Sequence, residues 1–118
     1  MDELKKEYVL NILGAKWSMK LLTAEEYPQL KRADGLTDRS SKTMYVRSDQ
    51  ENEEFPLDQH ESYIKEVKRH EIVHAFLYES GLGNDFKHPD YGHDETQVDW
   101  IALQFPKMIK AFEAADAL

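Results

Sequence analysis

The chain contains no cysteine. That absence excludes disulfides, thiolate metal sites and cysteine nucleophiles together, and it suits a reducing compartment. A metal, if one is held, must sit on histidine and carboxylate. Basic residues are also scarce, with 15 lysines and arginines against 23 acidic residues and a formal net charge of −8. Such a balance offers no basic face to a phosphate backbone, so no nucleic-acid partner is expected, and anionic membranes are disfavoured. Long apolar runs are missing too. The first residues, Met1-Asp2-Glu3-Leu4-Lys5-Lys6-Glu7, are charged, and the apolar stretch after them is interrupted by Asn11, Gly14 and Lys16. This predicts neither a signal peptide nor a membrane span, and a cytoplasmic protein. There is no internal repeat, and 118 residues suffice for a single domain, 1–118, with one modest core.

What is present is concentrated in Arg69-His70-Glu71-Ile72-Val73-His74-Ala75-Phe76, which holds His-Glu-x-x-His inside a helical pattern. Residues four apart lie one above the other on a helix face, so His70 and His74 can offer two imidazole nitrogens to one ion. Glu71 lies between them in sequence, within reach of the ion's open side, where it can accept a proton from water rather than ligate.

Around this motif the chain reads as α+β. Tyr8 to Leu13 and Trp17 to Leu22 form a β-hairpin turning at Gly14-Ala15-Lys16, with Trp17, Met19 and Leu21 on the core face; helix is the competing reading for residues 3–13. Residues 23–41 read as loop, with a helical turn at Ala24 to Tyr27. Lys42 to Arg47 is a third strand, with Met44 and Val46 facing inward. Asp58 and Glu61 resemble a capping box opening a helix over about 58–80, closed by Gly81. Its apolar residues Ile64, Ile72, Val73 and Phe76 spread over more than one face and predict a buried helix. A polar loop follows, and Asp94 caps a last helix over about 95–114 whose core stripe is Val98, Ile101, Ala102, Phe105, Met108, Ile109 and Phe112. Pro106 should kink or split that helix. Trp17, Trp100, Phe105 and Phe112 read as core rather than as a binding platform. The expected architecture is thus a three-stranded sheet packed on the motif helix and a C-terminal helix.

A catalytic zinc site needs a third protein ligand and an open position. Glu95, His93, His88, Asp94 and Asp99 are candidates. Glu95 is preferred because Glu95-x-x-x-Asp99 puts two carboxylates on one helix face, one for the metal and one to accept the N–H of a ligating histidine. His93 remains the chief alternative, while His88 and His93 also fit ordinary solvated loop positions.

His-Glu-x-x-His followed by Glu-x-x-x-Asp on the next helix resembles the gluzincin arrangement of thermolysin-like metallopeptidases. Residues 69–81 and 95–102 look more closely like small zinc metallopeptidases of phages and mobile elements. The resemblance covers roughly residues 40–112. It implies a minimal zincin-like domain with one zinc ion on His70, His74 and Glu95, Glu71 as catalytic base and Asp99 as the outer partner of a histidine. The domain is far smaller than the thermolysin-like enzymes and lacks their second lobe.

The expected reaction is peptide-bond hydrolysis. Zinc lowers the pKa of its water toward about 7 and polarises the carbonyl, while Glu71 takes a proton and returns it to the leaving amine. Tyr91, His88 or His93 could donate to the oxyanion. A peptide or protein substrate could add itself to a sheet edge along Thr43 to Arg47. Two alternatives keep the metal: a non-catalytic interaction or regulatory module stabilised by it, and a zinc hydrolase acting on a non-peptide amide or ester. Glu71 separates the first from catalysis, because a structural site has no use for a proton-accepting carboxylate beside the ion.

Overall fold

Alternation of apolar and polar residues builds the sheet. In the computed structural model, which describes residues 5–50, 57–81 and 95–118, β1 (Glu7–Ile12) pairs antiparallel with β2 (Ala15–Leu22). Trp17, Met19 and Leu21 are buried and the residues between them half-buried, as one core-facing side of a strand requires. The helical alternative is thereby excluded for the described part of that segment. The turn is Leu13-Gly14, not Gly14-Ala15-Lys16. Both residues have positive φ, 52° and 90°, which gives a two-residue hairpin loop whose twist matches the strands. Asn11 Oδ1 accepts the Gly14 N–H at 2.8 Å.

Two further strands follow, β3 (Gly35–Asp38) and β4 (Thr43–Arg47). Among the described residues the sheet therefore has four strands rather than three, in the order β1-β2-β4-β3. β2 and β4 run parallel, and the outer pairings are antiparallel. β3 lies in the stretch that reads as loop. Asp34, Gly35 and Asp38 carry turn chemistry, and four residues are too few for a period to register. Its pairing with β4 supplies what local propensity does not. β4 is consequently an inner strand, with Met44 and Val46 buried. A peptide cannot add along Thr43 to Arg47, because both sides of that strand are already paired. The edge beside the helices belongs to β3.

Ile12, Trp17, Met19, Leu21, Met44, Val46 and Ala75 form the core between the sheet and α1 (His60–Glu79), with Ile64, Val67 and Ile72 packed against it. The Asp58 capping box does not form. The helix begins at His60, later than expected, so Gln59 occupies the cap position and makes no side-chain cap bond. Gly81 ends it as anticipated, with φ 86°, where a side chain would be strained. Glu79 Oε1 accepts from Trp17 Nε1 at 2.9 Å and from Lys42 Nζ, joining the last turn of α1 to the sheet.

α2 (Glu95–Ala114) runs unbroken past Pro106. Both helices are less buried than their apolar content predicts. In α1 only Glu71, His74 and Ala75 are fully buried and Phe76 is exposed; in α2 only Val98 and Ala102 are buried. Phe105 and Phe112 are 44% and 39% exposed and Trp100 is 56% exposed. Among the described elements α2 packs mainly on α1 and not on the sheet, so only the narrow face turned toward α1 is covered. No helix among the described residues is long and apolar enough to cross a membrane.

Candidate metal centre

The helical spacing of His70 and His74 does what it predicts. Their Nε2 atoms lie 3.0 Å apart on one face of α1. Glu95, the first residue of α2, straddles them, with Oε2 3.2 Å from His70 Nε2 and Oε1 2.9 Å from His74 Nε2. The ligand atoms of these three residues fall within 4.8 Å of one another, a group able to hold a metal ion. Ligand atoms on a tetrahedron with bonds of about 2.05 Å stand roughly 3.3 Å apart. The two imidazole nitrogens, 3.0 Å apart, meet that to within a few tenths of an ångström, and each has one Glu95 oxygen at a comparable distance, so two imidazoles and a carboxylate could hold a small divalent ion.

Asp99 sits one turn beyond Glu95. Its Oδ1 is 2.6 Å from Nδ1 of His70, the ring nitrogen remote from the cluster. A carboxylate there accepts Nδ1–H and leaves Nε2 with a lone pair, which is the tautomer a metal needs.

Glu71 points to the same place from the protein side. It is 4% exposed, and its Oε2 lies 3.8 Å from His70 Nε2, too far to hydrogen-bond and near enough to face whatever the histidines bind. Burial raises its pKa to about 7; the Thr37 hydrogen bond and His70 oppose that shift, and the negative charges of Glu95 and Asp99 reinforce it. Thr37 Oγ1 donates to Oε1 at 2.7 Å. The other oxygen rests against Gly35, where an added Cβ would stand 2.5 Å from Oε2. β3 therefore shapes the seat of Glu71 twice, by a donor at residue 37 and by the missing side chain at residue 35.

The group opens into two adjoining clefts. One of 280 Å³ extends toward Asp34, Tyr63 and Glu66, the other of 290 Å³ toward Leu36, Thr37 and Tyr78. Both share Gly35, His70, Glu71 and Glu95. Of the sequence-derived candidates, His70, Glu71, His74, Glu95 and Asp99 converge. His88, Tyr91, His93 and Asp94 lie outside the described residues. Thr37 and Gly35 were not legible as site residues, since an isolated threonine and an Asp-Gly pair in a polar stretch carry no periodic or motif signal. No family model, curated protein or solved structure matches the chain.

Proposed function

We propose that the protein is a gluzincin-type zinc metallopeptidase built on a minimal zincin-like fold, with His70, His74 and Glu95 as ligands, Glu71 as general base and Asp99 orienting His70. The observation that carries this reading is the buried Glu71 carboxylate facing a His-His-Glu donor set it does not join. A structural metal site has no need of such a group, whereas hydrolysis needs a base positioned beside the ion's open side. Zinc is the ion favoured by two imidazoles and a carboxylate, and when bound it supplies a Lewis acid and an activated water.

The chain's own residues do the rest. Glu71 Oε2 accepts the proton of the attacking water while Thr37 holds the opposite oxygen, so the carboxylate need not reorient as it charges. Glu71 then delivers that proton to the departing amine nitrogen, which completes the proton balance of hydrolysis. Asp99 keeps His70 in the ligating tautomer. Arg47 N–H bonds the carbonyl of Asp34, and in an antiparallel pair the bonded positions alternate, so Gly35 and Thr37 turn their backbone groups to the outer edge of β3. An extended peptide paired there would pass beside Glu71.

A second reading, a metal-stabilised interaction module, is favoured by one observation, an apolar groove of 610 Å³ between α1 and α2 lined by Ile72, Phe76, Ile101 and Phe105 among others. One pair of variants separates the two. Metal analysis of the purified protein should give one bound zinc or comparable ion per chain, lost in His74→Ala. Glu71→Gln should keep the ion and lose at least about a hundredfold in hydrolysis of a quenched-fluorescence peptide library. A metal-free wild type sinks the site; Glu71→Gln with full activity removes Glu71 as base. Turnover of amide or ester probes without peptide turnover would keep every residue role and change the substrate.

A further inference from the structure

Pro106 has no N–H, so the helical hydrogen bond that the carbonyl of Ala102 would receive from position 106 cannot form. That carbonyl is satisfied from outside the helix. Arg69 Nε, on α1, donates to it at 2.7 Å. A proline ring in a helix also crowds the carbonyl four residues before it. Ala102 is 1% exposed and Arg69 half-buried, so the bond is partly withdrawn from water, where a charged donor is worth more and an unpaired carbonyl costs more.

The place of this bond matters. Arg69 adjoins His70 in sequence, and Glu95, Asp99 and Ala102 lie along one stripe of α2 at helical spacings of four and three. A single bond thus joins the turn carrying the first histidine to the stripe carrying both carboxylates. Those carboxylates have little packing of their own, since the side chains of Glu95 and Asp99 are 68% and 62% exposed. Their position against the histidines follows from how α2 docks.

We propose that Arg69 is a positioning residue of the metal centre and that Pro106 makes it necessary. The proline vacates the Ala102 carbonyl, Arg69 takes it, and the bond fixes α2 where Glu95 and Asp99 meet His70 and His74. The proposal rests on the metal-centre reading above. It is tested on the full chain by competitive zinc titration against a chromophoric chelator and by the visible spectrum of the cobalt(II)-loaded protein. Arg69→Met keeps the apolar stem and removes the donor. It should bind zinc about tenfold more weakly or worse, and its cobalt spectrum should move toward that of Glu95→Gln. Pro106→Ala restores the N–H, so the carbonyl is taken within α2. In that background the fold loss caused by Arg69→Met should shrink at least roughly threefold, a coupling that independent effects do not produce.

Wild-type affinity and spectrum in Arg69→Met overturn the proposal, as does an equal fold loss in both backgrounds. A lowered unfolding midpoint with an unchanged cobalt spectrum assigns Arg69 to stability alone and overturns it too. A wild type that holds no metal instead brings down the metal-centre reading itself and this proposal with it.

Discussion

At the scale of single residues, Glu71 is held between opposing influences. Burial disfavours its charge, Thr37 and His70 favour it, and the balance sets its pKa at about 7 against an ordinary 4.5. In metal-free protein between those values, the folded state keeps a proton that the unfolded chain has released. Folding therefore takes up protons there, and stability falls as pH rises through the window. The full drop is on the order of 3 kcal/mol. Four other carboxylates, Glu26, Asp38, Asp49 and Glu79, have lowered pKa values through hydrogen bonds to Thr23, Ser40, Arg47 and Lys42 respectively. Their stabilising effect is lost as pH falls through the ordinary carboxylate values and below, so it stays nearly constant from about pH 5 to about pH 8. Urea unfolding in chelator at about pH 5 and about pH 8 should show the wild type losing stability between them and Glu71→Gln losing less. Equal slopes would mean that Glu71 ionises in the folded protein as an exposed carboxylate does.

At the scale of elements, β3 is a short strand with a large share in the site. It contributes no buried hydrophobic side chain to the core, yet it supplies the edge, the Thr37 donor and the clearance at Gly35. Gly35→Ala tests whether that clearance matters. Its Cβ would stand 2.5 Å from Glu71 Oε2 and 2.9 Å from Val67 Cγ1, so either the carboxylate swings away or β3 shifts from α1. The expected result is a destabilisation of about 1–3 kcal/mol and, on the proposed function, a loss of hydrolysis that exceeds any loss of zinc affinity. An unaltered unfolding midpoint with unaltered hydrolysis would show that the strand accommodates the methyl group and does not define the seat of Glu71. The same element explains why a strand at 43–47 was legible and its neighbour was not. Lys42 to Arg47 alternates, with β-branched and aromatic residues, whereas Gly35-Leu36-Thr37-Asp38 has one apolar residue and two turn formers.

At the scale of the whole molecule, the two carboxylates of α2 reach the histidines of α1 across the seam between the helices. An ion held at that seam would act as a staple, binding the folded state and not the unfolded one. With the free ion at about a thousand times its Kd the folded state gains roughly 4 kcal/mol, and the unfolding temperature should rise accordingly and fall back on chelation. His74→Ala should respond to neither addition nor removal. If zinc leaves the melting temperature of the wild type unmoved at saturating concentration, the two helices do not share an ion in the folded state. The acidic balance of the chain works in the same direction, because it draws cations toward the clefts that carry Asp34, Glu66, Glu71, Glu95 and Asp99.

The spacing of His70 and His74, and that of Glu95 and Asp99, was enough to put each pair on one helix face, because i, i+4 pairs share a face whatever else the helix touches; that the two pairs meet is the work of tertiary docking, and His93, the alternative third ligand, lies outside the described residues. Two other local rules, alternation along a strand and glycine at a helix end, placed Met44 and Val46 inward and put the helix stop at Gly81. Tertiary structure alone decided the rest. It set which strand is the edge, since pairing partners lie far apart in sequence and β3 has no periodic signal. It decided how much of α2 is covered, since a helix packed on one neighbour buries one narrow stripe however apolar its sequence. It also decided the environment of Glu71, since the Thr37 hydroxyl and the space at Gly35 come from a strand more than thirty positions away in sequence. Local spacing can state which groups share a face; only the packed chain states how dry, how close and how basic they are.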